Sequence, residues 1–454
     1  MTPRYKLSLL SVVCSAMLLT GCGDATTNIV EKEHTEPTTP DHGHDSDHTI
    51  DSLGRLAISS VDNGQVALID LDDNHLLDQF TTNHVASSIT ASAGFRYVVV
   101  TNREHGHVGF IDGGLWREDH VAHLHDYQQD PALLNYQLTT SQPTHVVKHE
   151  HTMAIFNDGD ESAGISASVN VLTDNDITME IADSVAVEFD MNMHGVAQPR
   201  GDYLLATVRR DDEQSTSSAK ILPDQVAVYH RHDDHFEQES ILDVQCPNLH
   251  GAAQSLQFVA FGCTDGVLLA KQHDEDFDAS KIINLGILNT ARIGSLYGHH
   301  AHDSLFGVAS EHGQPGKLIA LDPNNLTMEE IDWQPVENAA ATSYAFSTGG
   351  EVFVILDNQG FVTSLTAHDH DGTMTWEFNG RVDITEQDVS LMPQDQSFKM
   401  TMSQNADVAY ISNPIANQIL AIDLEAMTVA TVTDLDFMPH NLVWLGIEEA
   451  HDDH

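Results

Sequence analysis

Histidine is the residue type in this sequence whose number and spacing could do chemistry. The chain has 29 histidines among 454 residues, against only 19 lysines and arginines together. An imidazole is mostly neutral at pH 7 and is then free to bind a divalent metal ion. One short stretch combines acidic residues with five imidazoles: His105, His107, His120, His123 and His125. Side chains two residues apart share one face of an extended segment, so the stretch predicts a site of three or four ligands. The alternative is an acidic, solvated loop with incidental histidines.

Further histidines recur at one position of a repeated unit, close to the start of a short β-branched run. They are His84, His145, His194, His250, His300 and His440. In a closed propeller the first strand of each blade is innermost, so these positions would form a ring around one mouth of the central channel. We therefore predict that His145, His194 and His250 are additional metal ligands. Each ring histidine could instead form only a hydrogen bond to an adjacent blade.

The ligand type narrows the choice of metal. Imidazole and carboxylate without thiolate suit Zn²⁺, Ni²⁺ or Cu²⁺, whereas Ca²⁺ and Mg²⁺ prefer cages of oxygen ligands. His42, His44 and His48 lie in a stretch with almost no apolar residues. Such a stretch offers only a weak site, because ordering the chain opposes binding. A flexible weak site beside a fixed strong one suits capture of an ion followed by its transfer.

The rest of the chain predicts an all-β fold. Short β-branched runs separated by Gly, Asn and Asp recur in a unit of about 40 to 60 residues, which is typical of four-stranded propeller blades. The C-terminal run PHNLVWLG predicts a first strand, and the N-terminal run RLAISSVDNGQVALIDL predicts a second and a third. Joining the two completes one blade and removes exposed edges. We predict a single β-propeller of eight blades, with seven blades as the main alternative and a two-domain β-sandwich next.

The N-terminal segment predicts export and lipid anchoring. A positively charged start is followed by an apolar stretch too short to span a bilayer, which ends in Leu-Thr-Gly-Cys at Cys22. Residues 1–21 then form a lipoprotein signal peptide, unless the segment is an ordinary signal peptide followed by a stray cysteine. Residues 22–53 predict a flexible tether, and residues 54–454 the propeller. Because Gly23 follows the lipidated cysteine, we expect a periplasmic protein anchored in the outer membrane rather than the inner one.

Two cysteines remain once the N-terminal segment is set aside, and an oxidising periplasm favours their pairing. The segments that contain Cys246 and Cys263 flank a turn near Ser255 and Leu256. Antiparallel pairing across that turn would bring the two cysteines within bridging distance. We predict a structural disulfide between them.

The segments PTHVVKH, IFNDGD, MHGVA, CPNLHGAA and VAFGCTDGV, together with the histidine-rich N-terminal stretch, resemble those of the AztD-type periplasmic zinc chaperones. These are β-propellers that pass zinc to the solute-binding protein of an ABC importer. The resemblance implies zinc as the metal, docking to such a binding protein, and the five histidines between residues 105 and 125 as the primary site. Members of this family are freely periplasmic, so an anchor at Cys22 departs from the pattern.

We therefore predict a zinc metallochaperone that works as a monomer and is not an enzyme. The net charge of −50 argues against nucleic-acid binding, since like charge repels a phosphate backbone, and it raises the local concentration of cations. No nucleophile elbow, P-loop or clean dinucleotide fingerprint occurs, and four tryptophans give no sign of the repeated motifs of quinone-binding propellers. Two alternatives stay open: a metal-dependent or quinone-type propeller enzyme, and an interaction propeller with incidental histidines.

Overall fold

The structure is a computed structural model that describes most of the chain. The described residues are 48–120, 123–182, 184–210, 222–232, 235–311, 314–370 and 373–449. The predicted signal peptide, Cys22, His42 and His44 lie outside these residues. Every helix within the described ranges falls short of the length and apolar character that crossing a membrane requires.

The described chain forms eight antiparallel sheets of four strands each, which are the blades of a β-propeller, and one additional two-stranded sheet. The prediction of an all-β propeller with eight blades is confirmed, and the seven-bladed and β-sandwich alternatives are wrong. Helix is confined to the five-residue α1 (Asp174–Thr178) and one 3₁₀ turn (Val389–Leu391) among the residues described.

The first four blades contain the N-terminal half of the strands. Blade 1 is built from β1 (Arg55–Ser60), β2 (Gln65–Asp70), β3 (Leu76–Thr81) and the C-terminal β34 (Pro439–Leu445). Blade 2 is built from β4 (Ser88–Ala91), β5 (Tyr97–Asn102), β6 (His107–Asp112) and β9 (Ala132–Thr139), with the hairpin β7 (Leu115–Asp119) and β8 (Leu124–Gln128) inserted before β9. Blade 3 is built from β10 (Pro143–His149), β11 (Thr152–Asn157), β12 (Ser168–Thr173) and β13 (Val185–Glu188). Blade 4 is built from β14 (Ala197–Arg200), β15 (Tyr203–Val208), β16 (Gln225–His232) and β17 (His235–Ile241).

The other four blades follow in chain order. Blade 5 is built from β18 (Ala252–Gln254), β19 (Phe258–Cys263), β20 (Gly266–His273) and β21 (Asp276–Ile283). Blade 6 is built from β22 (Arg292–Gly298), β23 (Leu305–Ser310), β24 (Lys317–Asp322) and β25 (Thr327–Glu330). Blade 7 is built from β26 (Ala341–Phe346), β27 (Val352–Asp357), β28 (Phe361–His370) and β29 (Thr373–Asp383). Blade 8 is built from β30 (Lys399–Met402), β31 (Val408–Asn413), β32 (Gln418–Asp423) and β33 (Thr428–Asp434).

The two ends of the described chain share blade 1, as the sequence predicts. β34 pairs antiparallel with β1, and Arg55 lies opposite Leu445 in the ladder. The innermost strand of this blade therefore comes from the C-terminus and the other three from the N-terminal part. This arrangement closes the ring without leaving an unpaired edge between the first and the last blade.

Burial follows the position of each strand within its blade. Every residue of β1, β5, β15 and β19, which are second strands, is buried. A strand covered on both faces by neighbouring blades needs a continuous apolar run, and the YVVV of β5 is such a run. The outermost strand β17 is largely exposed, and β3 alternates between exposed and half-buried residues.

Strand direction distinguishes the two mouths of the central channel. We call the mouth at which each innermost strand begins the upper mouth, and the one at which it ends the lower mouth. Turns between second and third strands also lie on the upper side, because the strands alternate in direction.

The predicted placement of His300 at the start of an innermost strand, on the upper side, is wrong. β22 ends at Gly298, and His300 follows it on the lower side. The RIGSLYG of β22 contains two glycines and few β-branched residues, so its strand signal is weak.

Candidate metal centre

Three imidazoles from three consecutive blades meet at the upper mouth. His145 lies in β10, while His194 and His250 lie in the segments that lead into β14 and β18. The Nε2 atom of His194 lies 3.4 Å from Nε2 of His145 and 3.3 Å from Nε2 of His250. We call these three residues the channel trio.

The spacing within the channel trio suits zinc. Zn–N bonds of about 2.0–2.1 Å at tetrahedral angles place neighbouring ligand nitrogens about 3.3–3.4 Å apart. Both pairs that include His194 already have this separation. His145 and His250 are the most separated pair, with ring centroids 6.2 Å apart. Binding of all three to one ion therefore requires the imidazoles of His145 and His250 to move closer to each other.

Hydrogen-bond acceptors next to Nδ1 of His250 and Nδ1 of His194 determine which ring nitrogen carries the proton. His250 Nδ1 lies 2.8 Å from the carbonyl oxygen of Gly294. Because a carbonyl oxygen only accepts, Nδ1 donates and Nε2 keeps its lone pair in the neutral ring. Asp158 Oδ2, 2.9 Å from His194 Nδ1, imposes the same tautomer on His194. Two Nε2 lone pairs therefore face each other across 3.3 Å, and a cation between them removes their repulsion.

Asp158 is an orienting residue that the sequence reasoning missed. Its side chain is buried, and Oδ2 also accepts a hydrogen bond from Arg103 Nη2 at 2.7 Å. A carboxylate or carbonyl behind a histidine ligand is the usual way in which proteins set ligand orientation and basicity. The available signal was the IFNDGD segment, in which Asp158 follows the buried strand paired with that of His145.

Two glycines explain the His-Gly pairs of MHGVA and LHGAA. A Cβ atom on Gly195 would lie 2.5 Å from Phe156 Cζ and from Thr207 Oγ1. Gly251 has a φ of +75°, and a Cβ there would lie 2.5 Å from the oxygen of Gly294. Only glycine allows the backbone next to each ligand to pack this closely against its neighbour.

The predicted disulfide between Cys246 and Cys263 is confirmed. Its setting differs from the predicted one, because Cys246 lies in the loop before β18, which begins only at Ala252. Gly262, next to Cys263 in the buried strand β19, accepts the backbone N–H of His250 at 3.0 Å. The disulfide therefore joins the loop that carries one channel-trio ligand to the strand that holds it.

The channel trio is open to solvent on one side. A cavity of about 640 Å³ lies beside His194 and is also lined by Arg103, Asp158, Glu161 and Arg209. Such a cavity gives an ion or a partner's side chain a path to the His194 imidazole.

Burial lowers the pKa of His145 from 6.5 to about 4, and the neighbouring His194 adds to this effect. The unfolded chain then binds a proton below about pH 6.5, whereas the folded chain binds it only near pH 4. The free energy of unfolding of the metal-free protein should therefore fall as the pH drops through this window, by at most roughly 3 kcal/mol from this group.

His145→Gln should remove that contribution. Denaturant unfolding at about pH 7 and about pH 4.5 should show a smaller loss for the variant than for the native protein. His273→Gln, an exposed position on β20, should behave like the native protein. An equal loss in all three proteins would contradict the assignment.

A second group of imidazoles lies on the lower side, on the hairpin β7–β8. Ring centroids lie 5.4 Å apart for His120 and His123, 6.0 Å for His120 and His125, and 6.5 Å for His123 and His125. The ladder pairs Glu118 with His125, so this acidic side chain is on the same face. That His123 and His125 approach one ion together stays a prediction.

His48, the last histidine of the predicted tail, joins this group. Its backbone N–H donates to Leu124 O at 3.1 Å, and its carbonyl accepts from Asp126 N at 2.8 Å. Its ring stacks on His125 with centroids 4.6 Å apart. We call His48, His120, His123 and His125 the hairpin cluster. The chain just before the propeller thus brings a fourth imidazole to the three on the hairpin.

Unpaired nitrogens mark the hairpin cluster as a fit for a metal ion. The Nδ1 atoms of His123 and His125 are buried and form no hydrogen bond within the described part of the chain. Buried polar atoms normally have a partner, and a metal ion would supply one here.

Asp126 points to the other face of the hairpin and accepts a hydrogen bond from Arg117 Nε at 2.6 Å. Although burial opposes ionisation, Arg117 and the Ile50 N–H hold the pKa of Asp126 below its usual value.

His105 and His107 do not join the hairpin cluster. They lie at the turn between β5 and β6 on the upper side, whereas β7 follows the lower end of β6. The six residues of β6 separate the two positions by roughly 20 Å. His105 Nδ1 lies 2.8 Å from Asn102 Oδ1, and His107 Nε2 lies 2.7 Å from Gln137 Oε1. The expectation that all five histidines share one face is wrong, because β7–β8 is an insertion and the fourth strand of the blade is β9.

The fold and these clusters define an eight-bladed β-propeller with imidazole groups on both sides of the ring. The chain is similar to the zinc chaperone AztD of Citrobacter koseri, with 24% identity over 418 residues that cover 88% of this chain and 89% of the relative. The structure of apo AztD from the same organism superposes with a TM-score of 0.70 at 20% identity, covering 87% of this chain and 99% of that one. A crystal structure of C. koseri AztD gives a TM-score of 0.69 at the same identity and coverage. The predicted resemblance is confirmed.

Other comparisons bear on the fold alone. No family model matches the sequence. The dihydro-heme d1 dehydrogenase NirN superposes with a TM-score of 0.54 at 10% identity, covering 87% of this chain and 75% of that one. Because the same fold occurs in a zinc chaperone and in an enzyme, function must be argued from the sites.

Proposed function

We propose that this protein is a periplasmic zinc metallochaperone that binds Zn²⁺ at its histidine clusters and transfers it to the solute-binding protein of an ABC-type zinc importer. The observation that carries the proposal is the pair of Nε2 lone pairs of His194 and His250, which face each other across 3.3 Å. Imidazole ligands alone are compatible with zinc, copper and nickel. Similarity to a protein named as a zinc chaperone favours zinc.

The two clusters suit different steps of capture and transfer. The channel trio is half-buried and oriented by Asp158 and Gly294, which favours tight binding because little ordering is needed when the ion arrives. The cavity beside His194 would admit a ligand of the partner, which can replace protein ligands one at a time. The hairpin cluster contains His48, the end of the histidine-rich tail, so ions collected by His42 and His44 would reach it first.

The proposed cellular location is inferred from the N-terminal segment. A signal peptide over residues 1–21 and a lipid at Cys22 would anchor the propeller in the outer membrane through the predicted tether of residues 22–53, of which the part from His48 onward is held against the hairpin β7–β8. The partner would then have to approach the anchored propeller from the periplasm. The acidic charge of the chain would concentrate Zn²⁺ near its surface.

The alternative function for a site with three imidazoles and an open side is that of a zinc-dependent hydrolase. Such an enzyme needs a carboxylate or imidazole free to act as general base beside the metal-bound water. Both Arg103 and His194 donate to Oδ2 of Asp158, the buried carboxylate next to the channel trio. That engagement supports an orienting role for Oδ2, whereas a hydrolase would have to use Oδ1 of Asp158 or the Glu161 carboxylate in the cavity as its base.

Transfer kinetics test the proposal. The zinc-loaded protein, produced without an affinity tag of histidines, is mixed with a metal-free zinc-specific solute-binding protein, and zinc arrival is followed by the fluorescence of that protein. Transfer should be faster than release to a chelator of equal affinity, because a docked partner displaces ligands directly. Equal rates to both acceptors would contradict a chaperone function.

Deleting residues 23–47 should slow reloading of the protein from dilute zinc and lower the number of weakly bound ions. The affinity of the channel trio should stay unchanged, because His48 and the residues after it remain in place. Isothermal titration of the full-length and the deleted protein measures ion number and affinity, and stopped-flow mixing with dilute Zn²⁺ measures the loading rate. A deletion that leaves weak binding and loading rates unchanged would exclude a capture role for the tail.

A further inference from the structure

The outer hairpin of blade 4 gathers histidines and acidic residues on one face. In the ladder between β16 and β17, His230 pairs with Glu237 and His232 pairs with His235. Residues directly opposite each other in an antiparallel ladder point to the same side, and so do residues two apart along a strand. A register shift between Val228 and Tyr229 leaves β17 with one extra residue, and such a bulge can redirect a side chain.

The side chain redirected at this bulge is that of Glu239. Its Oε1 atom lies 3.4 Å from His230 Nδ1 and 4.0 Å from His232 Nε2. One ligand atom from each of the three residues lies within 4.8 Å of the others. His232 Nε2 also lies 4.0 Å from Glu237 Oε2. These separations are too long for good hydrogen bonds, but an ion with bonds of about 2.0–2.2 Å to nitrogen and oxygen fits between the groups.

The position of the first imidazole is fixed by packing. The ring of His230 stacks on Tyr203 with centroids 4.6 Å apart, and Tyr203 in turn packs edge-on against Phe277 of blade 5. The rings of His230 and His232 lie 4.7 Å apart. Two imidazoles on one strand and a carboxylate on the next need little rearrangement to share one ion.

We propose that His230, His232 and Glu239 form a third metal site, which takes a borderline divalent ion such as Zn²⁺, with Glu237 or His235 as the fourth ligand. This site is built by different strands from the channel trio and the hairpin cluster, although His194 precedes β14 on the inner side of the same blade. Its exposed position gives it fast exchange with solvent. The proposal does not depend on the proposed function, since a zinc-dependent enzyme of the same sequence would carry the same site.

The test counts zinc ions in the full-length protein by titration against a chromogenic chelator. His230→Gln combined with His232→Gln should remove one ion per chain, and Glu239→Gln should weaken that ion's binding by about ten-fold or more. His273→Gln is the matched control, because His273 ends β20 of blade 5 as His232 ends β16 of blade 4, without a second histidine beside it. The control should bind as many ions as the native protein.

Zinc-edge anomalous diffraction from crystals of the native protein soaked in Zn²⁺ supplies an independent readout. A peak between His230, His232 and Glu239 supports the site. An unchanged ion count in the double variant, or an equal loss in the control, would overturn it. His194→Ala serves as a separate comparison, since it affects the channel trio only and so separates failure of this proposal from failure of the proposed function.

Discussion

His194→Ala is expected to abolish tight zinc binding at the upper mouth. His194 is the central member of the channel trio, within 3.4 Å of both partners. Zinc-finger sites of four ligands contribute about 10–16 kcal/mol. One ligand is then worth about 2.5–4 kcal/mol, so the loss of His194 should weaken binding roughly 10²- to 10³-fold. Competition titration with a zinc chelator measures the change. The remaining two imidazoles have no short contact with each other and should not hold the ion tightly.

His440→Ala is the control for this prediction. His440 lies at the start of β34, which is the same position in the innermost strand of another blade. Its Nδ1 atom lies 3.2 Å from Gln396 Oε1, so it has an ordinary polar partner. Native zinc affinity is expected for this variant. If both variants lose affinity equally, the effect is on the propeller as a whole and not on one site.

Combined replacement of His123 and His125 by alanine is expected to remove a second zinc ion while leaving the channel trio intact. Two buried nitrogens of the hairpin cluster, Nδ1 of His123 and Nδ1 of His125, form no hydrogen bond within the described residues, so their removal should leave no site at the hairpin. The propeller should remain stable, because β7–β8 lies outside the four-stranded sheets. Zinc stoichiometry and thermal unfolding of the same samples measure both effects.

The matched control is the double replacement of His105 and His107, which have the same spacing in the same blade. Their imidazoles are bonded to Asn102 and Gln137 on the upper side. This variant should bind as many zinc ions as the native protein. Loss of one ion in this control but not in the His123 and His125 variant would reverse the assignment of the two groups.

The blade architecture could be predicted from the sequence because burial imposes a readable pattern. Second strands such as β1 and β5 are covered on both faces and therefore need unbroken apolar runs. The C-terminal run supplies a first strand and the N-terminal run supplies a second and a third strand. The pairing of β34 with β1 could be predicted because the two runs together complete one blade. The His-Gly pairs at His194 and His250 could also be recognised in the sequence, in the segments MHGVA and CPNLHGAA. The glycine in each pair is required because the backbone beside the histidine packs closely against its neighbour.

The placement of the β7–β8 histidines could not be predicted, because nothing in the sequence distinguishes this inserted hairpin from the fourth strand of a blade. Leu115–Asp119 and Leu124–Gln128 have the length and composition of blade strands, and only the later ALLNYQLT of β9 pairs with β6. Taking the insertion for the fourth strand moves every histidine on it to the wrong side of the ring. The orienting role of Asp158 was missed for a different reason, since it depends on contacts between blades.

Zinc-edge anomalous diffraction from crystals of the tag-free protein, grown with one equivalent of Zn²⁺, is the most direct measurement of where the ion is held. The strongest peak is predicted at the upper end of the central channel, within bonding distance of Nε2 of His145, His194 and His250. A strongest peak anywhere else, with these three nitrogens left uncoordinated, would contradict the account.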